Sequence, residues 1–73
     1  MNPGEIVAFI GCSIEQQRWG NNDSTEDLIL GRFYVIEQVE PHKWHTKLML
    51  QGIKGKFNSV CFEPIEEHDV VNL

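Results

Sequence analysis

Residues 28–62 are a series of short apolar segments separated by residues that interrupt regular structure, and this pattern restricts the fold most. The segments are rich in β-branched and aromatic residues and are shorter than a typical helix, which favours strands. Glycine, proline and asparagine lie between them and indicate turns. A further segment of the same kind, residues 5–12, precedes the series. The sequence therefore predicts an all-β fold, with a single domain over residues 1–73.

The turn residues also predict where the strands end. Gly31 ends a short strand or extended turn, and Gln51 and Gly52 have the length of a two-residue hairpin turn. Pro41 is expected to stop the second strand, and Pro64 restricts the last strand to a sheet edge, because proline cannot donate to a ladder. The five predicted strands cover residues 5–12, 32–40, 43–50, 53–57 and 61–65, with a 3₁₀ turn at 58–60.

Alternation along the strands predicts which side chains are buried. Both faces of residues 5–12 are apolar, which indicates a strand covered on both sides, as in a small closed barrel. In residues 43–50, alternation places Trp44 on the same face as Leu48 and Leu50 and turns His45 outward. We therefore expect Trp44 to lie on the face that contains these leucines.

Residues 13–27 form a long polar loop after the first strand. A loop of this length in so small a domain is typical of a functional or mobile segment. Trp19 lies in its middle, and two interpretations are open. The indole either folds back to plug one end of the barrel or remains exposed as an aromatic anchor for a partner.

The net charge of −5 is unevenly distributed, with −4 over residues 1–31, +3 over 32–57 and −4 over 58–73. The overall negative field disfavours non-specific binding to nucleic acid or to anionic membranes. No apolar run has the length of a membrane span, and no signal-peptide pattern opens the chain. We therefore expect a cytoplasmic protein without membrane contact, with residues 1–4 and 66–73 frayed.

Three segments resemble those of SH3 domains. Residues 7–12 (VAFIGC) occupy the place of the ALYDY stretch, and residues 28–36 are similar to the diverging turn and second strand. Residues 55–62 (GKFNSVCF) resemble the G-x-x-P-S-N-Y-V segment. This resemblance implies a five-stranded SH3-like barrel with a long loop after the first strand. The series is also similar to short uncharacterised bacterial, phage and prophage proteins, which tend to show L-x-x-G-x-x-Y-x-V, here residues 28–36 with Ile36 in the last position, and F-x-x-x-x-F-x-P, here residues 57–64.

The chain departs from SH3 domains at the groove that binds proline-rich peptides, so the resemblance does not imply that activity. Aromatic rings and a proline line that groove, whereas the corresponding residues here are Ile10, Cys12, Asn58 and Cys61. The resemblance also implies that Cys12 and Cys61 are neighbours across the groove. They could form a bridge, but we expect two separate buried thiols, because free cysteines are the default in a reducing cytosol.

No arrangement of residues indicates catalysis, a cofactor or a metal. No serine or cysteine has a histidine and an orienting acid at a recognisable spacing. His42 and His45 are one residue closer than the spacing of zinc modules. We therefore expect a protein that is not an enzyme and that binds neither cofactor nor metal.

Two functions of different classes remain. The first is a small interaction module that binds a protein partner through the 13–27 loop and the outer barrel face, as a monomer or weak homodimer. Its candidate contact residues are Trp19, Phe33, His45 and Met49.

The second function is a nucleic-acid-associated accessory protein that uses a basic hairpin over residues 43–56. Lysines near an aromatic side chain can follow a phosphate chain, although lysines also protect exposed strands from edge pairing. The candidate contacts are Lys43, Lys47, Lys54 and Lys56. A further possibility, suggested by the phage resemblance, is an acidic inhibitor of a host nucleic-acid enzyme that acts through the C-terminal tail.

Overall fold

The computed structural model describes residues 1–13 and 24–66. This part of the chain contains five strands and one 3₁₀ turn, and every strand pairing is antiparallel. The elements are β1 (Ile6–Phe9), β2 (Phe33–Pro41), β3 (Thr46–Leu50), β4 (Phe57–Asn58), the 3₁₀ turn Ser59–Cys61, and β5 (Phe62–Pro64). The all-β prediction and the 3₁₀ turn before the last strand are confirmed.

The strands form one sheet in the order β4-β3-β2-β1-β5. Strand β2 joins two halves of this sheet, one made with β1 and β5 and the other with β3 and β4. Tyr34 of β2 lies opposite Val7 of β1, and the later residues of β2 pair with β3. The register shifts between Ile36 and Gln38, an irregularity of the β-bulge kind that bends a strand. Over the described residues β4 does not pair with β5, so the closure of the predicted barrel is not found.

Strand β3 is shorter than predicted because a tight hairpin precedes it. The backbone N–H of His42 donates to the carbonyl of His45 at 2.7 Å, which leaves Lys43 and Trp44 as the two residues of the turn. The strand then begins at Thr46. The predicted strand over 43–50 is therefore wrong in its first three residues, because the reversal of the chain occurs there.

Strand β2 ends at Pro41, as predicted, although the proline is itself part of the strand. It is the last residue of the strand and lies opposite Thr46. Hydrogen-bonded and non-bonded positions alternate in an antiparallel ladder, and the adjacent rung is the one made by His42 and His45. Pro41 therefore occupies a position at which no N–H is needed.

The hairpin turn predicted at Gln51 and Gly52 is present, but the strand predicted after it is not. Ile53 N donates to Leu50 O at 3.2 Å, and Gly52 has a φ of 76°, which favours glycine. Residues 53–56 are irregular, and β4 is limited to residues 57–58. The turn residues therefore predict the reversal correctly but not the length of the paired strand.

Strand β5 lies at the edge of the sheet, as Pro64 predicts. Ile65 N donates to Ile6 O at 3.0 Å and Ile10 N donates to Cys61 O at 2.9 Å, so the backbone groups of the alternate residues Phe62 and Pro64 point toward the outer edge of the sheet. Pro64 has no N–H, and the N–H of Phe62 bonds to Ser59 O. Over β5 the outer edge thus has no free backbone donor, which protects it from pairing with another strand.

The buried side chains form one cluster to which all five strands contribute. The Tyr34 hydroxyl, at the edge of this core, accepts a hydrogen bond from Ile29 N at 2.8 Å and so fixes the segment before β2. The members of the cluster are Val7, Phe9, Leu28, Tyr34, Ile36, Leu48, Leu50, Phe57, Cys61 and Phe62.

Candidate functional site

The most exposed large apolar side chain among the described residues is Trp44, which is 86% exposed. It lies at the tip of the hairpin between β2 and β3, and residues 42–45 are referred to below as the Trp44 turn. The prediction that Trp44 shares the face of Leu48 and Leu50 is wrong. Strict alternation holds only within an extended strand, and the chain reverses direction at Lys43 and Trp44, so the indole points away from the sheet.

The base of the Trp44 turn is held by side chains that come from three places in the sequence. Glu40 bonds through one oxygen to His42 Nε2 and through the other to Lys56 Nζ, both at 2.7 Å. The ring of His42 stacks on that of His45, with centroids 4.7 Å apart and an interplanar angle of 15°. This arrangement links β2, the turn and the segment before β4, and so presents Trp44 on a supported base.

His45 does not face outward as predicted. It is half-buried beneath His42, and its Nε2 atom is buried without a hydrogen-bond partner among the described residues. Stacking of the two imidazoles across the hairpin accounts for this burial, since residues 42 and 45 form the pair that closes the turn. His45 therefore supports the turn rather than forming its outer surface.

The hydrogen bond from Lys56, followed by that from His42, lowers the pKa of Glu40 below its ordinary value of 4.5. A carboxyl group whose pKa is lower in the folded than in the unfolded state stabilises the fold fully at pH values above its unfolded-state pKa. This contribution is lost as the pH falls through its pKa in the folded state. At pH 7 we expect Glu40→Gln to melt below the unchanged protein, because the charged hydrogen bonds to Lys56 and His42 are lost. The difference should be only a few degrees, since partly exposed ion pairs contribute little to stability.

This difference between Glu40→Gln and the unchanged protein should shrink as the pH falls through the lowered pKa of Glu40 in the folded protein, because the carboxylate is then protonated. Thermal melts of the two proteins between pH 7 and pH 3 check the expectation. The control is Glu63→Gln, which alters an exposed carboxylate on β5, outside this network. A difference that did not diminish as the pH is lowered would contradict the assigned role of the Glu40 carboxylate.

The other predicted protein contacts do not form one patch. Phe33 lies opposite Ala8 of β1, whereas Met49 lies opposite Gln38, and both are half-buried. The interval from residue 33 to residue 38 along a strand is about 16 Å. Met49 borders a shallow depression of about 390 Å³ that includes Glu37, Ile53, Lys54 and Lys56. Trp19 lies outside the described residues.

The predicted lysine surface is smaller than expected. Lys47 is only 8% exposed, because β3 lies between two strands and Lys47 is flanked by Glu40 on β2 and Asn58 on β4. Lys56 is paired with Glu40. Lys43 and Lys54 are exposed, and Lys43 Nζ lies 5.4 Å from the centroid of the Trp44 ring. Lys47 therefore offers little of its side chain to a nucleic acid.

Cys12 and Cys61 are joined by a disulfide, with their Cα atoms 5.0 Å apart. The resemblance to SH3 domains places them correctly as neighbours, but the expectation of two separate thiols is wrong. They come together because the segment that leaves β1 runs beside the 3₁₀ turn that precedes β5. Among the described residues, no group of three or more His, Cys, Asp or Glu side chains is arranged to hold a metal ion.

Comparison with known proteins identifies the family. The sequence pattern of the family described as Bacteriophage T4 protein Y07B matches residues 15–72. The chain belongs to this family. No curated protein and no solved structure matches the chain.

Membership of the Y07B family confirms the expected relation to small phage proteins. Within residues 1–13 and 24–66 the only helical element is the single 3₁₀ turn, and no helix has the length and apolar character needed to cross a bilayer. The Trp44 turn and the Cys12–Cys61 bond are two features of this Y07B-family chain that the sequence patterns did not predict.

Proposed function

We propose that this phage-family protein is a small non-catalytic interaction module that binds a protein partner through the Trp44 turn. The exposure of Trp44 on a supported hairpin is the observation that carries the proposal. A tryptophan side chain removes about 200 Å² from water when it is buried, which corresponds to about 5 kcal/mol before the losses of association. Tryptophan is enriched among the residues that dominate protein interfaces.

A protein partner is favoured over nucleic acid by the net charge of the chain and by the placement of two of the four candidate lysines. The chain has a net charge of −5, and of the four lysines considered for nucleic acid Lys47 is buried and Lys56 is paired with Glu40. The depression beside Met49 adds partly apolar surface on the same β2–β3 half of the sheet. We therefore assign the outer β2–β3 face, together with the Trp44 turn, to a protein.

We also infer that the sheet is a variant of the SH3-like barrel and that the protein acts in the cytoplasm. The strand order, the bent β2 that belongs to both halves and the 3₁₀ turn before β5 support the inference about the fold. The positions that would line a proline-peptide groove hold the Cys12–Cys61 bond and Asn58, which supports our proposal of the Trp44 turn as the interaction surface.

One observation favours nucleic acid as a second candidate. Lys43 lies over the ring of the exposed Trp44. An exposed aromatic ring can stack on a base of single-stranded nucleic acid while a cation beside it contacts the phosphate backbone. The third possibility, an acidic inhibitor, depends on the tail after residue 66, which lies outside the described residues. It predicts that removal of this tail, and not the loss of Trp44, abolishes binding.

The test is affinity capture from a lysate of a bacterial host, with one half treated with nuclease. We expect a protein partner that survives nuclease treatment and whose affinity falls at least about 30-fold with Trp44→Ala, as for a central interface residue. The matched control is Leu30→Ala, which removes another side chain that is 71% exposed, from a different turn. Quantitative binding of the identified partner to the three proteins gives the affinities.

Two results would redirect the proposal. Capture that disappears with nuclease and with Lys43→Glu, and that weakens steeply with salt, would support the nucleic-acid candidate instead. Equal losses with Trp44→Ala and Leu30→Ala, or no loss with either, would contradict a specific role for the Trp44 turn.

A further inference from the structure

The disulfide lies at one end of the ladder between β1 and β5. Ile10 N donates to Cys61 O at 2.9 Å at this end, and Ile65 N donates to Ile6 O at the other. Cys12 follows Ile10 by two residues, and Cys61 immediately precedes β5. The bond therefore joins the two strands covalently just beyond their last backbone rung.

This ladder is short and covers aromatic side chains. Strand β5 has three residues, one of which is Pro64. Behind the ladder, the buried rings of Phe9 and Phe62 lie with their centroids 5.6 Å apart. Edge strands with few hydrogen bonds open at low free energy, so separation of the ladder at its Cys61 end would expose these rings.

The two sulfur atoms belong to residues that differ in access. Cys61 is fully buried in the core cluster, whereas Cys12 is partly buried and packs against the outside of that cluster. Thiol–disulfide exchange requires an attacking thiolate to reach one of the sulfur atoms. Access therefore favours attack on Cys12.

We propose that the Cys12–Cys61 bond is a redox-operated latch on the β1–β5 ladder, opened by a dithiol reductant that enters at Cys12. A reductant thiolate attacks Cys12 Sγ, a mixed disulfide forms, and the electron pair of the broken bond goes to Cys61 Sγ, which takes up a proton. The second reductant thiol then attacks the mixed disulfide and releases Cys12 as a thiol. Two electrons pass to the protein, and the reductant leaves as its own disulfide.

Opening the latch loosens one end of the sheet and leaves the other paired. The bond makes no link to β2 or β3, whose pairing runs from Ile36 opposite Leu50 to Pro41 opposite Thr46. Reduction therefore exposes the Phe9 and Phe62 rings while the hairpin that presents Trp44 remains formed. The apolar surface of the protein thus depends on the thiol redox state of its surroundings.

Amide hydrogen exchange of the oxidised and the dithiol-reduced full chain tests the latch. We compare the protection of Ile10 N–H, which bonds to Cys61 O, with that of Gln51 N–H, which bonds to Val35 O at 2.9 Å. The ratio of the two within one sample cancels a change in global stability where both amides exchange through global unfolding, which denaturant dependence of each protection establishes. We expect the Ile10-to-Gln51 ratio to fall at least about tenfold on reduction, and the double variant Cys12→Ala with Cys61→Ala to match the reduced protein.

The entry point is tested by trapping the mixed disulfide with glutathione and mapping it by peptide mass. Attachment at Cys12 supports the proposed route, and attachment at Cys61 overturns it. An unchanged protection ratio would show that the bond does not hold the ladder. Loss of the β-sheet circular dichroism on reduction would show that it staples the whole domain, and either result would overturn the latch.

Discussion

Replacing Cys12 and Cys61 together by alanine is expected to lower the free energy of unfolding by about 4 kcal/mol. The bond joins residues separated by 49 positions in the sequence, so it removes a large share of the conformational freedom of the unfolded chain. For a loop of this size the chain-entropy model gives about 4 kcal/mol. A domain of this length is stable by about 4 to 11 kcal/mol in total, so the loss is a large part of the whole.

Urea unfolding of three samples measures this loss: the oxidised protein, the protein reduced by a dithiol, and the double alanine variant. Alanine is chosen because Cys61 is fully buried and a serine hydroxyl there would add a desolvation penalty. The reduced protein and the variant should agree with each other. A loss below about 1 kcal/mol in both samples would contradict the stabilisation assigned to closing the chain between Cys12 and Cys61.

Phe57→Ala is expected to lower the free energy of unfolding by about 3 to 5 kcal/mol. Phe57 is the largest fully buried side chain, is 1% exposed, and packs edge-on against Phe62 with centroids 6.3 Å apart. Removing the ring forfeits its transfer from water and leaves a cavity that a small core closes only in part. The position also matters because β4 has only two residues with which to hold its place beside β3.

Chemical denaturation in the oxidised state checks this value, since the intact disulfide leaves the variant stable enough for its unfolding transition to be measured. Val60→Ala is the matched control, because Val60 lies three residues further along the chain and is exposed, so that its loss should be close to neutral. If Phe57→Ala fails to fold, Phe57→Leu supplies the measurement, with a smaller expected loss. A cost for Phe57→Ala no larger than that for Val60→Ala would contradict the central position of this ring.

Local sequence patterns predicted the elements of this fold better than their extents. The runs of β-branched and aromatic residues identified four of the five strands, the exception being β4, which overlaps its predicted segment at Phe57 alone, and Pro64 correctly indicated an edge strand. The failures lie at the ends of strands. Pro41 is compatible with its strand because the ladder needs no donor there, and that depends on the register with β3. Register is a property of two segments together, so neither segment alone reveals it.

The candidate site was predicted less well, for a related reason. Alternation placed Trp44 on the face of Leu48 and Leu50 and Lys47 on the opposite, outer face, whereas Trp44 is exposed at the turn and Lys47 is buried. Alternation tells which side chains share a face, but the chain reverses at Trp44 and strands cover β3 on both edges. The residues 42–45 contain no glycine or asparagine, the usual signals of a two-residue hairpin, so the turn had no local signature.

The sequence by itself determined that this protein is a small all-β domain with turns at Gly31 and Gly52 and a last strand at a sheet edge. These features depend on backbone preferences of single residues and on the period of short segments, which act locally. The tertiary structure alone decided the exposure of Trp44, the burial of Lys47 and the Cys12–Cys61 bond. Each of these depends on which distant segments lie side by side, and that is set by the packing of one shared core.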